Sequence, residues 1–263
     1  MTPAEKIASP AALRADCRAG RFDGPTSGHA PGHVQANMVI LPADYADEFR
    51  EFCDRNPQPC PVLEILEAGD PEPRKIAPGA DVRTDLPRYR VFRNGEAVDD
   101  PTDVTDLWCD DLVTFMLGCS FIVEGALMEA GLVLAHIAET GFVPMYRTTR
   151  ATVPAGRFEG PTVVSMRPFA PEDADRAADI TAHYPMAHGG PIHIGDPGEL
   201  GIRDIHEPEF GRAVTIAPGQ TTAFWACGVT PQEALAAAKP PLAITHCPGQ
   251  MFVADILSES TRI

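Results

Sequence analysis

Short apolar runs alternate with connections rich in proline and glycine, so the pattern predicts many short elements joined by long loops. The opening stretch "MTPAEKIASPAALRADCRAG" patterns as a polar helix and lacks the apolar core of a signal peptide. A strand is expected at 34–41. Pro42 then opens a helix that sets Tyr45, Phe49, Phe52 and Cys53 on one face. "CPVLEILE" (60–67) reads as a strand, and 69–87, dense in Pro, Gly and charge, as a long loop. "RYRVFRNGEAV" (88–98) is a hairpin with Asn94-Gly95 as its turn. At 110–118, Leu112, Phe115, Met116 and Cys119 fit a helical face, but the segment is short, and helix and strand both stay open.

The rhythm then changes. "LVLAHIAE" (132–139), "PMYRTTRAT" (144–152) and "PTVVSMRP" (161–168) read as three strands. A helix follows at 171–183, with acidic residues in its first turn as the macrodipole prefers. "PIHIGDP" and "AFWACGVTPQEALAAA" return to strand followed by helix. The expected architecture is a three-layer α/β core, residues 1–130 and 186–263, interrupted by an inserted two-layer α+β unit over 131–185.

Charge and cysteine content narrow the function classes. A formal net charge of −16 argues against nucleic acid and against an anionic membrane surface. It leaves room for an anionic small substrate, because a few arginines can be focused in a cleft. No apolar run reaches the length of a membrane span. Seven cysteines without C-x-x-C spacing point to reduced thiols and no structural zinc, so a cytoplasmic protein is expected. Assembly as a homo-oligomer stays open. No Walker A or G-x-G-x-x-G stretch is present, and no cofactor is expected.

Two internal echoes carry the candidate chemistry. "SGHAPGHVQANMVIL" aligns with "ITHCPGQMFVADIL", pairing His29 with His246 before an apolar segment. This is either a shared turn-into-strand device or a way to bring both histidines to one site. "LGCSFIVEGAL" aligns with "WACGVTPQEAL", pairing Cys119 with Cys227 and Glu124 with Gln232. Thr230, Pro231 and Glu233 form a capping box with a proline start, which sets Cys227 just before a helix N-terminus, where a thiol pKa is lowered. Two facing thiols could serve a two-base racemase; the plainer reading is small buried hydrophobes. His29 and His33 are four apart, but Pro31 argues against the helix that such a chelate needs, so no metal is assigned. His188 and His193 flank "GGPI". Arg83, Arg88 and Arg90 in "DVRTDLPRYR", and Arg167 in "SMRP", could clamp a carboxylate or pair internally with Asp81 or Asp85.

Eight ordered stretches, "GHAPGHVQANMVILP", "DVRTDLPRYRVFRNGE", "DLVTFMLGCSFIVE", "VPMYRTT", "VVSMRP", "HGGPIHIGDP", "FWACGVTPQ" and "ITHCPGQMFVADI", resemble the hydro-lyase family grouped by name with D-glutamate cyclase. The resemblance spans about 20–257 and implies an α/β fold with a three-layer and a two-layer part. The family usually writes His-Ala-Pro-Gly-His at the last motif. Cys247 and Gln250 depart from it, and Gln250 cannot titrate. The resemblance implies a lyase that removes water from a small amino- or hydroxy-carboxylate. His29, His246, Cys119 and Cys227 are the catalytic candidates. Arg83, Arg88, Arg167, His33, His193 and Thr230 are the substrate-binding candidates. A two-thiol racemase or epimerase and a non-catalytic carboxylate-binding protein are the alternatives.

Overall fold

The computed structural model describes residue 7 and residues 9–263, so the part of the expected N-terminal helix on 1–6 and 8 lies outside the described residues. Helix α1 spans Pro10–Arg18, capped by the Ser9 side chain. Strand β1 (His33–Pro42) and helix α2 (Ala43–Arg55) follow, then β2 (Val62–Ile65) and the hairpin β3 (Tyr89–Arg93) and β4 (Glu96–Asp99). The hairpin turns at Asn94-Gly95, both at positive φ, as its sequence predicts. Residues 112–118 form strand β5 (Leu112–Gly118), which settles the open assignment. It lies between β2 and β1, is buried on both faces, and so has no alternation to read.

Helices α3 (Glu124–Glu129) and α4 (Ala135–Glu139) come next, and α4 corrects the strand expected at 132–139. An apolar run this short has no period that separates the two states, and Gly131 at φ 81° starts a new direction just before it. Strands β6 (Met145–Ala151) and β7 (Pro161–Phe169), helix α5 (Pro171–Ala182), strands β8 (His193–Ile194) and β9 (Thr221–Ala226), helix α6 (Thr230–Ala238), and strands β10 (Ala243–His246) and β11 (Phe252–Leu257) complete the chain.

The protein is mixed α/β, and every strand pairing within its two sheets is antiparallel. The first sheet runs β2-β5-β1-β10-β3-β4, with β11 also paired to β1. The second runs β6-β7-β9-β8. Strands β8 and β9, on the far side of residue 185, hydrogen-bond into the same sheet as β6 and β7. Along β1 the side chains alternate, as a strand requires. Val34, Ala36, Met38 and Ile40 enter one cluster, while Val39 and Leu41 enter another with Phe49 and Phe52 of α2 and Ala234 and Leu235 of α6. The first of these clusters also holds Phe169, Ala223 and Trp225 of the second sheet, so one continuous core joins the two sheets. Among the described residues, no helix is long and apolar enough to cross a membrane.

Candidate active site

Two strand ends carry the paired cysteines. β5 ends at Gly118; Cys119, a 3-10 turn over Ser120–Val123 and α3 follow. β9 ends at Ala226; Cys227, a short turn and α6 follow. Both thiols enter one buried cluster with Phe121, Val143, Met145, Val163, Val229 and Met251. Asn37 of β1 lies between the two ends and donates its amide to the Gly118 carbonyl. A Cβ on Gly228 would stand 1.9 Å from that amide, and one on Gly118 would stand 1.7 Å from the Met186 carbonyl oxygen. The glycine beside each cysteine is therefore demanded by close approach.

Strand β7 supplies the charge. Val164 and Met166 face an apolar cluster on one side of it, while Arg167, two residues from Ser165, is 2% exposed on the other. The guanidinium donates to Ser165 Oγ at 3.3 Å and Ser120 Oγ at 3.1 Å, and stands 5.5 Å over the Trp225 ring. Its Nη2 stops 3.9 Å from Glu124 Oε1, longer than a hydrogen bond, and its buried Nε has no partner among the described residues. Burial lowers the Arg167 pKa, while Glu124, Cys119 and Cys227 act to raise it.

Glu124, itself buried, accepts from Ser27 Oγ at 2.9 Å and lies 2.7 Å from His136 Nε2. A carboxylate can only accept, so the imidazole carries its proton on Nε2 toward Glu124. Ser27 belongs to the first His-x-Pro-Gly segment, which ties that turn to the Arg167 site.

The thiols depart from expectation. Burial pushes Cys227 up to about 11, outweighing the Val229 backbone hydrogen bond and the Arg167 charge, which both act downward. Cys119 is raised further by burial, with Cys227 and Glu124 adding to it. The helix after Cys227 starts at Thr230 as predicted, but the capping box does not form: Val229 is the cap residue and has no side-chain cap bond. Thr230 Oγ1 instead accepts from Val163 N at 3.0 Å, tying α6 to β7, and Glu233 pairs with Arg147 at 2.7 Å.

The two His-x-Pro-Gly turns abut. Thr26 N donates to the Gly249 carbonyl at 3.0 Å, and Met251 N donates to Thr26 Oγ1 at 3.0 Å. Each imidazole accepts a backbone N–H at Nδ1: His29 from Ile7 at 3.1 Å and His246 from Met38 at 3.1 Å. His246 does so where β1 exchanges its neighbour β11 for β10, taking an amide between the two ladders. Its Nε2 is buried without a partner among the described residues, and burial drives its pKa down to about 4. His29 packs edge-on to Phe22 with ring centroids 4.9 Å apart.

The other candidates lie elsewhere or serve locally. Arg83 forks onto Asp81 at 2.9 and 2.7 Å. Arg88 donates to the Asp100 carbonyl and to Asp23, and Arg90 pairs with Asp100. His33 begins β1 with Nδ1 3.3 Å from the Pro31 carbonyl oxygen, and His193 in β8 donates from Nε2 to the Asp196 carbonyl. The structure thus gathers Cys119, Cys227 and Arg167, and adds Glu124, His136, Ser27, Ser120 and Asn37, which the sequence reading left out of the site. His188, buried at φ 71°, donates from Nδ1 to the Gln58 carbonyl and feels the Arg167 charge, with a pKa lowered to about 4 mainly by burial. One signal could have found Glu124: a carboxylate inside the apolar run "CSFIVEGAL". Among the described residues, no group of three or more His, Cys, Asp or Glu is placed to hold a metal ion.

A family model described as D-glutamate cyclase matches residues 113–255, which contain every member of this constellation except Ser27 and Asn37. A Bordetella petrii protein named "Putative hydro-lyase" is 53% identical over 95% of this chain and 95% of its own. Proteins of the same name from Rubrobacter xylanophilus and Geobacillus kaustophilus are each 54% identical, the first over 93% of this chain and 95% of its own, the second over 91% of both. By a family match over more than half its length and full-length likeness to these relatives, the chain belongs to the D-glutamate cyclase family.

Proposed function

We propose that this protein is a carbon–oxygen lyase, a hydro-lyase of the D-glutamate cyclase type that removes water from a small amino- or hydroxy-carboxylate. Arg167 carries this reading. An arginine stays charged when buried, and the buried Nε of this one meets no acceptor among the described residues, beside a carboxylate that it does not fully engage. A substrate carboxylate would supply the missing acceptor. With D-glutamate, the α-amine attacks the side-chain carboxyl carbon, an N–C bond forms, a C–O bond breaks, and a five-membered lactam and water leave. Arg167 would hold the carboxylate, and Glu124, backed by His136, would move the amine's proton. Cys119 and Cys227, protonated at neutral pH, suit proton donation to the departing oxygen. Ser27 Oγ occupies one Glu124 oxygen, so that hydrogen bond would open for the oxygen to take a substrate proton.

In this reading residues 1–130 and 186–263 form the α/β core and 131–185 the inserted unit, whose β6 and β7 are joined in their sheet by β8 and β9 of the later segment. A two-thiol racemase gains from the shared thiol cluster, but it needs a thiolate base, which burial opposes at both cysteines. The test is NMR of D-glutamate and of a panel of amino- and hydroxy-carboxylates incubated with the protein. One of them should lose water, and Arg167→Lys should slow that conversion about 100-fold. Conversion of none, or an equal rate in the variant, overturns the reading.

A further inference from the structure

Beside the turn over 247–250, a cleft of about 380 Å³ is lined by Arg88, Arg90, Arg212, Asp100, Glu209 and Phe142, among others. Three guanidinium groups face two carboxylates there, in a chain whose net charge is −16. Arg90 is held by Asp100 at 2.9 Å and Arg88 by Asp23 at 3.1 Å. Arg212 has no carboxylate within ion-pair distance among the described residues, and its guanidinium stands 5.1 Å over the Phe142 ring.

Its position is built. Phe210 exchanges backbone hydrogen bonds with Met145 at 2.9 and 3.2 Å, which fixes the segment that carries Arg212. Gly211 follows at φ 75°, and a Cβ there would stand 1.9 Å from the Val143 carbonyl oxygen. Only glycine makes that turn, and the turn aims Arg212 at the cleft. Arg88 and Arg90, distant in sequence, line the same cleft.

We infer that this cleft is a binding site for a small dicarboxylate, with Arg212 taking one carboxylate and the Arg88–Arg90 wall the other. Counting Asp23, three carboxylates balance the three guanidiniums, and the charge left to draw such an anion to an acidic protein is that of Arg212, which no carboxylate pairs among the described residues. The site is separate from Arg167 and stands whether or not Arg167 holds a substrate.

Calorimetric titration with glutarate at low ionic strength tests it, against sodium chloride at matched ionic strength. Saturable one-to-one binding is expected, with Arg212→Gln at least about tenfold weaker. Arg212 is exposed, so an unchanged melting temperature should accompany the loss. Arg83→Gln removes the same charge from an ion pair outside the cleft and should bind within about twofold of the wild type. Equal weakening in both variants, or none in Arg212→Gln, overturns the inference. Loss of binding in Arg167→Lys but not in Arg212→Gln also overturns it and leaves the lyase proposal standing.

Discussion

The two cysteine-bearing strand ends begin alike and finish differently. After Cys119, the chain turns into α3 and presents Glu124 to Ser27, His136 and Arg167. After Cys227, it turns into α6 and presents Gln232, at the matched position, to the His246 carbonyl at 3.0 Å. One end gathers a guanidinium whose Nε has no partner among the described residues. The other spends its amide on holding a strand. A repeat of sequence thus need not be a repeat of role: the residue five positions after the thiol decides whether the end holds a charged group or a scaffold contact.

The largest break in this comparison should come from removing Arg167's charge. Arg167→Leu removes the buried charge that faces Glu124, leaving that carboxylate to Ser27 and His136 alone, and should cost about 3–5 kcal/mol, read by urea denaturation at neutral pH. Acid should act next. The folded pKa values of His246 and His188 are depressed to about 4 from 6.5, so the unfolded chain binds more protons between those values. Their stabilisation is full above pH 6.5 and is lost as pH falls toward 4. The loss is on the order of 3 kcal/mol for each histidine, and replacing His246 by Gln should flatten the measured stability profile over that window. Gln232→Ala comes third, at about 0.5–1.5 kcal/mol, because it removes one of two side-chain donors to the His246 carbonyl and leaves Thr245 Oγ1. Smallest is the thiol chemistry: at neutral pH, iodoacetamide should label exposed Cys109 quickly and leave Cys119 and Cys227 intact in the folded protein, read by mass spectrometry.

Much of the fold was legible because periodicity and turn chemistry act locally. The Asn94-Gly95 hairpin, the apolar face of α2 and the helix start at Thr230 all follow from a few neighbouring residues. What failed depends on burial and on partners far along the chain. β5 gave no period because both its faces are covered, and α4 was misread because five residues hold too little pattern. The thiol expectation failed for the same reason: a helix N-terminus is visible in sequence, but the desolvation that outweighs it is not. The site was half legible. Cys119, Cys227 and Arg167 stood out by echo and by type, whereas Ser27 and His136 reach Glu124 only through the tertiary fold.

Turnover of Glu124→Gln, set beside Gln232→Ala, tests the central claim most directly. Gln keeps the shape of Glu124 and removes its charge, so the protein should stay folded and lose about 100-fold in the rate of water removal from D-glutamate or from whichever carboxylate the wild type converts. Gln232→Ala should lose stability and keep its rate per folded molecule. A Glu124→Gln protein that turns over like the wild type, while Gln232→Ala is inactive yet folded, would contradict the account and move the chemistry to the other strand end.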